Sequence, residues 1–337
     1  MMQKPPLVEI EDLTVRFKGN RDVYAVNGVS FTLDEGEVLT ILGESGSGKS
    51  VTLKTLLRLL PENRTEIGGK VRVGGEDVLA MRGRKLADHR GGTVSMIFQD
   101  PMLALDPVYT IGEQIAEAVI RHENVSRQAA MARALEMLER VRIPSPQRRL
   151  KAYPHEMSGG MRQRAMIALA LACKPKLLLA DEPTTALDAT VQIQILLLLR
   201  ELQQEFGMSV IFVTHDIGVA VEVSDRIAVM YAGAFVETGT TREIIREAQH
   251  PYTHGLLAAN LVGAKPGQRL DAIPGAPPAL ETRPTSCAFA PRCKHAMDVC
   301  REALPPTRRW HDRRWVSCVL AAEDAPRPAV AASAASV

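Results

Sequence analysis

The stretch Gly43-Glu44-Ser45-Gly46-Ser47-Gly48-Lys49-Ser50 constrains this chain more than any other. It follows the apolar run Val38-Leu39-Thr40-Ile41-Leu42 and precedes Leu53, Leu56, Leu57 and Leu60 at helical spacing, which Pro61 stops. The order is strand, glycine-rich loop, helix. In that setting Gly43, Gly46 and Gly48 let successive backbone N–H groups turn inward on a phosphate, flanked by Ser45, Ser47 and Val51. Lys49 reaches the terminal phosphates, and the Ser50 hydroxyl is placed to hold Mg²⁺. The spacing is that of a P-loop; the competing reading is a strand-to-helix turn with no ligand.

Three later apolar runs read as buried strands with polar groups at their far ends. Thr93 to Phe98 leads to Gln99, Leu177 to Ala180 leads to Asp181-Glu182, and Val210 to Val213 leads to Thr214-His215. Ligands of open α/β sheets bind beyond the carboxyl ends of strands, so these groups belong beside the 43–50 loop. Asp181 suits Mg²⁺ held through water, and Glu182 suits an attacking water; the alternative is a solvated acidic turn. A lone histidine is more often structural, but His215 falls in the same crevice. Residues 7–17 and 26–33 read as strands joined by a turn-rich interval, with a short strand pair near 71–73 and 78–79. Phe17 and Tyr24 offer an aromatic face for adenine, or else simple strand packing.

Between these strands the pattern becomes helical. Ile111, Ile115 and Val119, then Met131, Leu135 and Leu138, recur at helical intervals, with Ser126 as an N-cap. This predicts a helical subdomain over about 102–165. Ser158-Gly159-Gly160 opens a further helix, either as an anion-binding N-terminus or as a capped helix start. Asp188 precedes a helix over 191–206.

Forty-one basic residues against 39 acidic ones give a net charge of +2, which offers no electrostatic case for nucleic acid as a partner. Met1 to Pro6 show no apolar signal region, and the longest apolar stretch, Ile195 to Leu199, ends at Arg200, so a cytosolic protein is expected. From Ile273 the chain turns to Pro, Arg and Ala, marking a boundary and a mostly irregular tail. Within it lie Cys287, Cys293, Cys300 and Cys318. A reducing compartment argues against disulfides, and the C-x₂₋₄-C pairs usual for zinc are absent. Four thiolates on a 4Fe–4S cluster is therefore the preferred reading over zinc or unliganded thiols. Cys173, in an apolar helix, reads as core.

Taken together, the loop at 43–50, Gln99, Ser158-Gly159-Gly160, Leu177 to Glu182, Ala186-Leu187-Asp188 and His215 resemble the motifs of ATP-binding-cassette (ABC) ATPases over residues 7–240. The resemblance implies an α/β P-loop NTPase fold, a RecA-like core with an antiparallel β subdomain and a helical subdomain. The domains expected are an ABC nucleotide-binding domain over 1–240, a helical linker over 241–272, a small irregular Cys-rich extension over 273–322 and a disordered tail over 323–337. It implies a head-to-tail dimer in which Lys49 binds phosphate and Ser50, Asp181 and Gln99 serve Mg²⁺. Glu182 is then the base, and His215 contacts the γ-phosphate. Ser158, Gly159 and Gly160 act on the opposite subunit's ATP, Asp188 lies at the dimer interface, and Phe17 or Tyr24 stacks on adenine.

Phe98 to Pro107, the form Ser158 to Arg164, and His250-Pro251-Tyr252-Thr253 are similar to ATP-binding subunits of oligopeptide and dipeptide importers, with nickel importers as close relatives. The same subfamily supports the iron–sulfur reading beside Phe289-Ala290-Pro291-Arg292-Cys293. Implied partners are two membrane permeases, a second ATP-binding subunit and, indirectly, an extracytoplasmic substrate-binding protein, at the cytoplasmic face of the membrane. Two rival readings are a soluble ABC protein acting on ribosomes or DNA, and a nucleotide-sensing module with little turnover.

Overall fold

A computed structural model describes residues 5–185, 188–259 and 273–321. Strands β1 (Val8–Phe17), β2 (Val23–Leu33), β4 (Thr65–Val73) and β5 (Glu76–Asp77) form an antiparallel sheet in the order β2-β1-β4-β5. The second sheet takes β3 (Val38–Leu42), β6 (Val94–Ile97), β7 (Leu177–Asp181), β8 (Ser209–Thr214), β9 (Arg226–Tyr231), β10 (Ala234–Thr240), β11 (Thr307–His311) and β12 (Arg314–Ser317). Its order is β11-β12-β10-β9-β3-β8-β7-β6, parallel from β9 to β6 and antiparallel beyond β9.

The parallel strands are mostly apolar because both faces are covered. Leu177, Leu179, Ile211 and Val213 face a core shared with the antiparallel sheet, while Leu178, Ala180, Val210 and Phe212 face a core shared with the helices. Each fully buried leucine or isoleucine here contributes about 1.5–3 kcal/mol. The register aligns Leu42 with Thr214, Asp181 with Val213 and Ile97 with Ala180. That alignment brings the residues following β3, β6, β7 and β8 to one edge of the sheet.

The first helix, Lys49–Leu56, ends before the expected Leu60, because Arg58 adopts a positive φ of 50°. Residues 78–80 form a 3₁₀ turn capped by Asp77 instead of a strand, and the partner of β1 is the longer β4. The expected helical insertion contains Ile111–Glu123, opened by a Thr110–Glu113 capping box, and Arg127–Arg140, capped by Ser126. Asn124, left-handed at φ 52°, separates them.

The tail is more ordered than its Pro- and Arg-rich composition suggests. Strands β11 and β12 form a hairpin that extends the main sheet, pairing Glu237 with Val316 and Thr238 with Trp315. Its anchor is the buried pair Arg314–Glu237 at 2.8 Å. Glu237 also accepts the backbone N–H groups of Gln249 (2.8 Å) and His250 (3.0 Å), so its carboxylate is well satisfied. Of the expected linker, helices Thr241–Arg246 and Pro251–Ala258 are described. Residues 260–272 and the expected disordered tail at 323–337 lie outside the described residues. Among the described residues no helix is long and apolar enough to cross a membrane.

Candidate active site

The 43–50 loop leaves β3 and enters the helix Lys49–Leu56 through two glycines that tolerate no side chain. A Cβ at Gly43 would lie 2.2 Å from the Met230 carbonyl oxygen, and one at Gly48, where φ is 103°, 2.3 Å from that of Ala25. Ser45 and Gly46 are exposed at the loop's tip, and Val51 packs partly against the core beneath it. Lys49 is buried, and its Nζ donates to the carbonyls of Gly43 (2.7 Å) and Glu44 (2.9 Å). Burial pushes its pKa down, opposed by the carboxylates of Glu182, Asp181 and Glu44. The Ser47 hydroxyl is buried with no protein hydrogen-bond partner among the described residues. A cation folded onto loop carbonyls and an orphaned hydroxyl suit a triphosphate.

At the adjoining strand ends the Ser50 hydroxyl donates to Asp181 at 2.7 Å. Burial raises the Asp181 pKa, and the Ser50 bond opposes this. A hard-oxygen pair beside a phosphate cradle has the donor chemistry Mg²⁺ takes. Glu182, the next residue, holds a left-handed φ of 46°, a conformation costing a non-glycine residue on the order of 1–3 kcal/mol. Its backbone N–H donates to Val213 at 3.0 Å, which fixes the turn.

Three side chains meet at Glu182 Oε2: Gln99 Nε2 at 3.4 Å, His215 Nδ1 at 3.2 Å and Thr185 Oγ1 at 3.0 Å. Glu182 Oε1 lies 4.0 Å from Lys49 Nζ. Gln99, Asp181, Glu182 and His215 are thus brought to the loop. Thr185 was missed from sequence, although a threonine three residues after a strand-end carboxylate is a local signal for such a bond.

The other expected site residues stand apart from this cluster. Ser158 caps the helix Gly159–Leu171, accepting the Met161 N–H at 3.4 Å, and is exposed together with Gly159. Among the described residues no hydrogen bond or ion pair joins Ser158, Gly159 or Gly160 to residues 43–50. Asp188 caps the helix Ala189–Phe206 through the Val191 N–H at 3.0 Å; Ala186 and Leu187 before it lie outside the described residues. Phe17 ends β1 partly buried against the core, and Tyr24 carries the Arg16 guanidinium 5.4 Å from its ring centroid.

Cys287, Cys293, Cys300 and Cys318 all line one narrow cavity, together with His250, Phe289 and His295. Among the described residues no group of three or more His, Cys, Asp or Glu side chains is arranged to hold a metal ion. Burial pushes the thiols of Cys287, Cys293 and Cys318 up, the last to about 11. Cys173 sits apart, half-buried against the helical core as expected.

Comparison with known proteins agrees with this geometry. The ABC transporter family profile matches residues 26–185, and the profile for the oligopeptide/dipeptide transporter C-terminal region matches 236–300. The chain is 47% identical over 330 residues to the oligopeptide transport ATP-binding protein OppD of Bacillus subtilis, covering 97% of this chain and 92% of that protein. It is 46% identical over 316 residues to the dipeptide transport ATP-binding protein DppD of the same organism, covering 93% and 94%. Among solved structures, the dimeric post-hydrolysis state of the ATP-binding cassette MJ0796 bound to ADP and Pi aligns with a TM-score of 0.63 at 32% identity, over 70% of this chain and 99% of that one. With the P-loop, the strand-end carboxylates and the C-terminal extension all in place, the chain belongs to the ABC transporter ATP-binding proteins of the oligopeptide/dipeptide family and is an ATPase.

Proposed function

We propose that this chain powers the import of oligopeptides or dipeptides, binding and hydrolysing ATP as one of two subunits docked on a pair of membrane permeases at the cytoplasmic face. The observation that carries the catalytic part is the meeting of Gln99, His215 and Thr185 on one oxygen of Glu182, beside the Ser50–Asp181 pair. Lys49 leaves the Gly43 and Glu44 carbonyls to bind the terminal phosphates. Ser50 and Asp181, with Gln99 nearby, would hold Mg²⁺, which supplies positive charge against the triphosphate. Glu182 accepts a proton from the attacking water, while Gln99 and His215 fix its carboxylate and face the γ-phosphate.

Phe17 or Tyr24 stacks on adenine, and Ser158, Gly159 and Gly160 present helix N-terminal N–H groups to the ATP of the other subunit, with Asp188 at the interface between them. A second, non-identical ATP-binding subunit fits this arrangement, as does an extracytoplasmic substrate-binding protein. Directly after Gln99 the side chains of Met102, Leu103, Val108 and Tyr109 are exposed, Leu103 to 87%. Such a patch suits a permease, and its closeness to Gln99 ties docking to hydrolysis. Cys287, Cys293, Cys300 and Cys318 would hold a 4Fe–4S cluster, which supplies a cross-link of the tail and one-electron redox capacity.

Isolation of the protein from membranes followed by reconstitution in vesicles tests the assignment. Attached permeases and ATP-dependent uptake of labelled peptides are expected; uptake of nickel but not peptide, or attachment to ribosomes, would overturn it. Iron and sulfide are expected in anaerobically purified protein, and zinc without iron would refute the cluster.

A further inference from the structure

The first leg of the phosphate loop is gripped from outside by the C-terminal extension. Arg292, whose side chain is 5% exposed, pairs with Glu44 in a fork: Nη1 to Oε2 at 2.5 Å and Nη2 to Oε1 at 2.9 Å. The remaining donors fix the guanidinium in place, Nε to the Pro274 carbonyl at 2.8 Å and the two Nη atoms to the Tyr231 hydroxyl (3.4 Å) and the Ile273 carbonyl (3.5 Å). A second hold comes from the helix Pro251–Ala258, where the Tyr252 hydroxyl accepts the Glu44 backbone N–H at 2.9 Å. The Glu44 carbonyl in turn accepts from Lys49. A continuous chain of bonds thus runs from Arg292 through Glu44 to the phosphate-binding ammonium.

Glu44 is otherwise a poor residue for its place. A free carboxylate one residue into a loop that receives a triphosphate would repel it and would be free to fold across the cradle. The fork neutralises that charge and ties the carboxylate to the tail, while Ser45 and Gly46 beside it stay exposed. Arg292 lies within 236–300, the part of the chain matched by the transporter C-terminal profile, outside the cassette profile at 26–185.

We infer that Arg292 is a positioning residue of the ATP site, acting only through Glu44 to keep the phosphate loop open and electrostatically ready for nucleotide. The inference rests on ATP binding at this loop. The test is a double-mutant cycle on the full-length protein, reading ATP dissociation constants by calorimetry with EDTA present to suppress hydrolysis.

Arg292→Gln is expected to weaken ATP binding about tenfold, with KM rising and kcat at saturating ATP held within about twofold. Arg292→Lys, which keeps the charge but not the fork, should fall between. In an Glu44→Gln background the same Arg292→Gln change is expected to cost less than about twofold, because the anion it restrains is gone. An equal loss in both backgrounds would overturn the inference, since Arg292 would then act through general folding of the tail, and so would unchanged affinity in Arg292→Gln. Labelling of the four tail thiols in each variant separates tail detachment from loss of the pair. Failure of the unaltered protein to bind ATP would instead sink the ATPase assignment itself.

Discussion

The phosphate cradle and the tail that grips it meet at Glu44, yet they are written into the chain in opposite ways. The cradle is local: eight consecutive residues make the loop, and single residues just past β6, β7 and β8 complete it because parallel register aligns their ends. The clamp is distant: Arg292 stands 248 positions from Glu44 and finds it only when the tail folds back. Chemistry done by backbone groups and strand ends leaves a spacing that can be read. Chemistry done by one long-range side-chain pair leaves none.

The sharpest way to break the catalytic side of this comparison is Glu182→Gln. General-base loss costs about 10²–10⁴-fold, so turnover should drop about a thousandfold, roughly 4 kcal/mol of barrier, with ATP affinity retained. Single-turnover hydrolysis measures the drop. Full activity in the variant would move the protein to the nucleotide-sensing class and leave the cluster on Glu182 Oε2 without a catalytic role.

The tail side is challenged next by Glu237→Ala. This strips the buried Arg314 of its carboxylate and leaves the N–H groups of Gln249 and His250 without their acceptor. Orphaning one member of a buried pair costs about 3 kcal/mol or somewhat more. Urea unfolding should show that loss, together with easier proteolysis of the β11–β12 hairpin. A shift under about 1 kcal/mol would mean that strand pairing alone seats the tail.

Legibility follows the same divide. The central strands were readable because Leu177 to Ala180 and Val210 to Val213 are continuous apolar runs, as strands covered on both faces must be. Gln99, Asp181, Glu182 and His215 were readable because each ends such a run. The hairpin β11–β12 was hidden, since Arg308, Trp310 and Arg314 stack as cation–π contacts, with guanidinium carbons 4.9 and 5.1 Å from the Trp310 centroid, where an apolar alternation would be sought. Arg58 and Asn124 ended helices through positive φ, which no apolar periodicity signals. Thr185 and the Arg292–Glu44 fork depend on side-chain direction, and that is set only by packing.

The smallest effect tests the seam between the two regions through pH. His250 is fully buried where cassette and tail meet; its Nδ1 accepts the Tyr252 N–H at 3.0 Å and so caps the helix whose Tyr252 holds Glu44. Burial, aided by the charge of His254, lowers its pKa from 6.5 to about 3. A base with a lowered folded pKa resists protonation in the native state while the unfolded chain takes the proton freely. Its contribution to stability is therefore full above about pH 6.5 and is lost as pH falls toward 3. At about 1.4 kcal/mol per pH unit, the loss at pH 5 is about 2 kcal/mol. His250→Asn keeps a capping acceptor without a titrating ring. Unfolding measured at pH 7 and pH 5 should show a decline about 2 kcal/mol smaller in this variant than in the unaltered protein. Equal declines would place the acid-sensitive group elsewhere and leave the seam governed by the Arg292–Glu44 and Arg314–Glu237 pairs alone.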